Sequence, residues 1–474
     1  IAAAMCRAPV WPNENGKVLI RMSGVTIFAA ILFVVTYVLM FAFQKLRPYV
    51  AVLSAVIFVV VGSIGVFPDF QYTVGDALGQ IDWNVILMIA GTMGTVFLFI
   101  ESKMPQRMSD ILVSHIHSVK WLMVMLSLFS GLISAFVDNV ATVLMVAPVA
   151  LALCKKLKIS PVSAIICIAI SSNLQGAATL VGDTTSILLA KAAGLDFMDF
   201  FFVDGRPGMF WVTECGAVLS ALMILWFFRR ENTAISIRDC TPVEDKGPTV
   251  LLCLTIVSLI AVSFIPYQSA AQPGQFYKPE ITNGLLCMFF FLIGLVREVV
   301  RSGSREIVGR AILEIDFYTL ALLAGLFVVI GGISRAGIID LLGSALAGIS
   351  GDGSRWSVFI VYTVIVWMSV LCSAFIDNIP YTATMLPVVA VVTERLSVAG
   401  GLAVEPNLMY FGLLVGATLG GNLTPIGASA NIAGIGILRK EGYSVSSGTF
   451  MKFGVPFTLA AVISGYVLVW LLWM

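Results

Sequence analysis

The sequence predicts an all-α membrane protein built as two inverted repeats, each with five transmembrane crossings, one re-entrant hairpin and a discontinuous helix. Three observations predict it. The 474 residues are 59% hydrophobic and only 12% charged. That is about half the charge of an ordinary soluble domain, too little to cover a water-facing surface of this size. The apolar residues come in blocks, several long enough to cross a hydrocarbon core about 30 Å thick. The chain also repeats itself in order.

The repeat is read from matched strings. Ile81-Asp82-Trp83 followed by Met88-Ile89-Ala90-Gly91 returns as Ile315-Asp316-Phe317 followed by Leu322-Leu323-Ala324-Gly325. Leu132 to Val140 returns as Leu371 to Ile379, with six of nine positions identical, Asp138-Asn139 and Asp377-Asn378 among them. Asn173-Leu174 and Thr179-Leu180-Val181-Gly182 return as Asn422-Leu423 and Thr424-Pro425-Ile426-Gly427. Chance does not produce such a series in order.

Each copy parses alike. Crossings are expected near 24–43, 49–67 and 83–100, then a paired segment 121–153, a long segment 160–190 and a crossing 208–228. The second copy gives 249–266, 281–296, 317–336, a pair 356–393, a long segment 407–437 and a crossing 453–473. The organisation is thus an N-terminal segment 1–23, a first repeat 24–228, a cytoplasmic linker 229–248 and a second repeat 249–474. The block from Val25 to Gln44 is too long for a signal peptide's apolar region. Arms of about 16 residues, about 24 Å as helix, are short for a span and turn at Asp-Asn. They read as re-entrant hairpins, whose irregular tips need protein or a wet cavity around them.

Sidedness follows the basic residues. With the N-terminus outside, the cytoplasmic loops hold 19 of the 28 Lys and Arg, Lys45, Arg47, Arg229 and Arg297 among them. An odd number of crossings per copy then makes the copies antiparallel and puts both termini outside, with the plasma (inner) membrane as the expected location.

Four acids fall inside apolar blocks: Asp138, Asp183, Glu214 and Asp377. No Lys or Arg is expected at comparable depth. Carboxylates in the membrane mark an ion path by default, and unmatched negative groups suit a cation. The long segments carry helix breakers with small polar groups, from Ser171 through Gly182 to Ser186 and from Gly420 through Pro425 to Asn431. Broken helices free carbonyls for a cation. The first copy offers Asp138, Asn139, Asn173, Thr179, Gly182, Asp183, Thr185 and Ser186. The second offers Asp377, Asn378, Asn422, Thr424, Gly427, Ser429 and Asn431. Na⁺ candidates are Asp138, Asn139, Asp183, Asp377 and Asn378. Ala428 stands where Asp183 stands, so the first copy is the better site for Na⁺ or H⁺.

The hairpin tips and broken helices together resemble the ion transporter superfamily. Within it they are similar to the branch holding type-D Na⁺/H⁺ antiporters, the melanosomal P protein and arsenite pumps, with a citrate-transporter-like domain. Asp138-Asn139 and Gly182-Asp183-Thr184-Thr185 resemble the antiporter pattern. Gly421-Asn422 with Gly427-Ala428-Ser429-Ala430-Asn431 looks like the P-protein pattern. The dicarboxylate branch carries Ser-Asn-Thr at its tips, where this chain has Asp-Asn. The resemblance implies a homodimer and an elevator motion.

The expectation is a secondary ion transporter, not an enzyme, with Na⁺/H⁺ antiport favoured and no cofactor beyond the coupling ions. A Na⁺- or H⁺-coupled carrier of an anion or oxyanion such as arsenite or citrate is the alternative. An intramembrane aspartyl protease and a passive channel stand further off. Expected partners are membrane lipid, small inorganic ions or a small anion. Net charge of +1 and the lack of a basic, aromatic-laced cluster exclude nucleic acid. The eight scattered cysteines read as small buried hydrophobes.

Overall fold

The computed structural model describes residues 23–474 apart from 232, 234–240, 244, 269–274, 350–353 and 401–403. The expected N-terminal segment, Cys6 and Cys240, and much of the 229–248 linker lie outside the described residues.

Among the described residues there are twenty α-helices. The first ten are α1 (Gly24–Ala42), α2 (Arg47–Ile64), α3 (Val74–Gln80), α4 (Trp83–Glu101), α5 (Met104–Ser114), α6 (Val119–Ser134), α7 (Asn139–Leu157), α8 (Val162–Gly176), α9 (Thr184–Ala193) and α10 (Met209–Phe227). The next ten are α11 (Gly247–Ser263), α12 (Thr282–Ser302), α13 (Glu306–Glu314), α14 (Phe317–Arg335), α15 (Ile338–Ala347), α16 (Arg355–Ser373), α17 (Asn378–Gly400), α18 (Pro406–Gly420), α19 (Ser429–Lys440) and α20 (Ser447–Trp473). Among the described residues the only strands are Phe202–Val203 and Arg206–Pro207, a two-residue hairpin.

Local chemistry sets the ends. Asp82 and Asp316 cap α4 and α14, accepting from Val85 N at 3.1 Å and Thr319 N at 3.0 Å. Each satisfies a backbone donor that a helix leaves orphaned. Thr73 and Asp76 form a capping box on α3.

Among the described residues nine helices are long and apolar enough to cross a membrane, α1, α2, α4, α7, α10, α12, α14, α16 and α20. Membrane-facing surfaces keep their hydrocarbon outward: Val34, Val38, Phe289 and Val296 are all more than half exposed.

Hairpin arm lengths correct the sequence expectation. Only α6 has 16 residues; α7 and α16 have 19 and α17 has 23. Length alone therefore does not mark these arms as short of a span.

Packing crosses the midpoint of the chain. α4 lies along α12 and α2 along α14; α6 lies along α8, α16 along α18, and α10 along α20. The glycines of the repeated string permit the first two contacts. A Cβ on Gly91 would sit 2.4 Å from the Cys287 carbonyl carbon, and one on Gly325 would sit 2.9 Å from that of Ala51. Small residues bring helices this close where no hydrophobic drive between helices exists.

The two broken helices form the centre. Nearly every residue of α8 from Ala164 onward and of α18 from Asn407 onward is buried. A helix buried on all sides has no solvent or lipid face. The polar residues it carries must find partners within the protein.

Candidate functional site at two hairpin tips and two helix breaks

Both long segments unwind where glycine stands. α8 ends at Gly176 and helix resumes at Thr184; α18 ends at Gly420 and, after a 3₁₀ turn, helix resumes at Ser429. The restart residues share one backbone: Asp183 has φ −144° and ψ 145°, Ala428 has φ −140° and ψ 144°.

Each hairpin tip packs its carbonyls into the facing break. A Cβ on Gly182 would meet Gly176 O at 2.5 Å and Ser134 O at 2.6 Å. A Cβ on Gly427 would meet Gly421 O at 2.6 Å, with Ala374 O and Ser373 O each at 2.9 Å. Thr179 Oγ1 donates to Ala135 O, and Thr424 Oγ1 to Ala374 O. Only glycine fits among such oxygens. Convergent carbonyls are what hard cations select.

The first tip is the more polar. Asp138 caps α7, its Oδ2 accepting from Val140 N at 2.9 Å and Ala141 N at 3.2 Å. A helix N-terminus favours that negative charge. Asp138 is half-buried. With its NH₂ turned to the break, Asn139 reaches Ser134 Oγ at 2.7 Å, Ser172 O at 3.2 Å and Gly182 O at 3.3 Å. Ser172 Oγ donates to Ser134 Oγ at 2.9 Å and to Asn139 O at 3.0 Å.

Two asparagines stitch the breaks together. Asn173 Nδ2 donates to Thr418 O at 2.8 Å and to Asn422 Oδ1 at 3.1 Å; Asn422 Nδ2 returns a bond to Ile170 O at 2.9 Å. Thr185 Oγ1 donates to Asp183 Oδ2 at 2.5 Å and stands 2.9 Å from Thr418 Oγ1. Asp183 is 5% exposed and lies within electrostatic reach of Asp138 and Asp377. Among the described residues Ser186 Oγ has no hydrogen-bond partner though buried, and neither has Asn431 Oδ1.

The second tip departs from expectation. Asp377 forms an ion pair with Arg47, Nη1 to Oδ2 at 2.5 Å, with side-chain exposures of 8% for Arg47 and 10% for Asp377. A fixed positive partner does reach the site. It comes from the first residue of α2, which reads in sequence as the end of a basic loop. Asn378 is buried, but no counterpart of the Asn139 contacts forms there among the described residues. Asn431 braces the break through Gly421 O and Thr424 O, both at 3.1 Å, and Ser429 is exposed.

Sequence reasoning missed Arg47, Ser134, Ser172 and Thr418. Ser134 and its counterpart Ser373 stand in the repeated hairpin string, four residues before the Asp. Arg47 had one signal: Pro48 marks a helix start, where a cation opposes the helix dipole and so needs another partner. Glu214 lies apart from the tips, both carboxylate oxygens 2.9 Å from Gln175 Nε2. Lys191 pairs with Asp82 at 3.3 Å and Glu280 at 3.5 Å.

Comparison with known proteins agrees with this arrangement. The family profile described as "Citrate transporter" matches residues 37–416. The chain belongs to the citrate transporter family. It is therefore a polytopic integral membrane protein of the transporter class within the ion transporter superfamily. Family relatives include an uncharacterized transporter of Mycobacterium tuberculosis, 30% identical over 452 residues and covering 94% of this chain and 98% of the relative. The P protein of Homo sapiens is 28% identical over 449 residues, covering 81% of this chain, which spans about half of that longer protein (53%). Among solved structures, the fold is similar to the Alcanivorax borkumensis YdaH transporter, with TM-score 0.59, 14% identity and coverage of 94% of this chain and 97% of that one. It is also similar to MtrF of Neisseria gonorrhoeae, with TM-score 0.54, 14% identity and coverage of 89% and 94%.

Proposed function

We propose that this family member is a secondary active transporter coupled to Na⁺ and/or H⁺, with Na⁺/H⁺ antiport as its mode. One observation carries the reading. Asp138 and Asp183 stand at the hairpin tip and at the end of the unwound segment, where carbonyls of Gly176, Ser134 and Ala135 converge on Gly182, and neither carboxylate has a Lys or Arg ion pair among the described residues. Such groups are costly in a membrane unless a cation or proton neutralises them. Two carboxylates within electrostatic reach share that charge unequally. Na⁺ and H⁺ then compete for one place, which is what exchange requires.

The remaining features of the reading extend from the packing. The helix groups that cross the chain's midpoint support two antiparallel repeats. The split between α1, α2, α4, α11, α12 and α14 on one side and the hairpins with their broken helices on the other supports a static frame and a moving element. A homodimer in the plasma (inner) membrane, with the linker inside and both termini outside, completes the proposal. Single cysteines at Arg229→Cys and Met474→Cys test the sidedness: labelling of both from one side of sealed vesicles removes it.

The main experiment is flux in proteoliposomes. An imposed pH gradient should collapse on addition of Na⁺ alone. A gradient that responds only when citrate or another anion is added rejects antiport and installs the second reading. That second reading, a cation-coupled anion carrier, draws on the name of the citrate transporter family and on the guanidinium of Arg47. Its weakness is that Asp377 already neutralises that charge. The same pairing argues against an aspartyl protease, because Asp377 is not free to share a proton with Asp138 as a dyad must.

A further inference from the structure

The Arg47–Asp377 pair joins two bodies that the transport reading requires to part. Arg47 opens α2, which packs along α14. Asp377 sits at the tip between α16 and α17. A second clasp lies beside the ion pair: Tyr37 Oη, from α1, donates to Pro380 O at 2.7 Å and also meets Thr384 Oγ1. Arg47 Nε is held by Met40 O at 3.3 Å, so the guanidinium is aimed and not free to swing. Among the described residues the first tip has no such clasp, and its Asp138 accepts from α7's own N–H groups.

We propose that Arg47 is a tethered counter-ion for Asp377, which occupies that carboxylate whenever cargo cation or proton does not and so holds the empty carrier still. This rests on the transport reading above and adds its coupling device. A buried carboxylate stripped of its partner is strongly disfavoured. The second hairpin therefore leaves α2 only when Asp377 has gained a cation or a proton in exchange for the guanidinium. Among the described residues, Arg47 from α2 is paired with Asp377, and Tyr318 from the start of α14 and Asp183 from the first break lie within its electrostatic reach. Arg47 is the only cation among them, so the swap is between it and the cargo.

The test is Na⁺ efflux from proteoliposomes into media with and without Na⁺ at fixed pH. Wild type should need a trans cation or proton for rapid efflux. Arg47→Gln should efflux at similar rates with and without trans Na⁺. Its half-saturating Na⁺ should fall by about tenfold, as expected when a competing state holding about nine-tenths of the empty carrier is removed. Arg47→Lys should keep wild-type coupling. Where Arg47→Gln yields no folded protein, Asp377→Asn serves, because it removes the same lock at nearly constant shape and should show the same loss of trans-stimulation. Unchanged trans-stimulation in either folded variant overturns the proposal. A wild type with no Na⁺-linked flux overturns the Na⁺/H⁺ antiport reading and this one with it, whereas a coupled wild type beside unaltered variants overturns this one alone.

Discussion

The two hairpin tips share sequence and backbone but not electrostatics. Both turn at Asp-Asn after Ser-Ala-Phe, and both push two carbonyls against a glycine in a broken helix. Yet Asp138 is half-buried and held by backbone N–H groups, whereas Asp377 is closed over by a guanidinium 2.5 Å away. Duplication of a fold does not duplicate its charges. A carboxylate's role is set by what stands opposite it, and that partner came from a helix far away in sequence.

The largest effect should separate the tips outright. Asp138→Asn should reduce Na⁺-dependent flux in proteoliposomes to the level of empty vesicles, while Asp377→Asn, which removes the carboxylate that swaps Arg47 for cargo, should slow flux and lose its dependence on the trans ion. Equal behaviour of the two variants would erase the distinction between a binding tip and a locking tip.

The next test asks whether the backbones are truly equivalent. Gly182→Ala and Gly427→Ala each place a methyl within 2.6 Å of a carbonyl oxygen. Each should cost about 2–3 kcal/mol by overpacking, read as a lower melting temperature in detergent. A tolerated alanine at either position would show that its carbonyls stand further apart than described.

A smaller effect probes the stitch between halves. Asn173→Ala and Asn422→Ala should each cost about 1–3 kcal/mol, because each strands a buried partner. The double variant should cost less than the sum, the sign of a direct contact. Strict additivity would place the two amides out of touch.

The smallest effect lies outside both tips and serves as their control. Asp245, ahead of α11, bonds Arg297 Nη1 at 2.6 Å and Nη2 at 2.7 Å, and Arg301 Nη1 lies at 2.6 Å. The Arg297 bonds hold its carboxyl down to about 2 against an ordinary 3.8. A depressed folded-state value means stability present above about pH 4 and lost as pH falls toward 2. Asp245→Asn should remove that acid limb of the melting curve and leave Na⁺ flux unchanged. Persistence of the limb would assign it to other groups.

Much of this was legible in the sequence because membrane physics writes in long blocks. Helix starts and stops fell within a few residues of expectation for α1, α4, α10 and α14. Gly176, Gly182, Gly420 and Pro425 announced the breaks through lost backbone donors and missing side chains. Asp138, Asn139, Asn173, Asp183 and Thr185 gathered as the repeated strings suggested. What stayed hidden was long-range pairing. Arg47 and Asp377 are 330 residues apart, and no local pattern joins them. Arm length failed too: the turn was found, but α7 and α17 run on well past the expected 16 residues. Ser429 and Asn431 matched the pattern of ligands, yet Ser429 is exposed, and Asn431 braces its own loop through Nδ2 while its Oδ1 stays unpartnered among the described residues.

Asp183 and Ala428 begin their half-helices at the same dihedral angles. Nothing in the main chain would resist a carboxylate at position 428. On the transport reading proposed above, Ala428→Asp would give the second break the carboxylate that the first already carries, adding a deep charge to one half while the two half-helices keep their shared backbone.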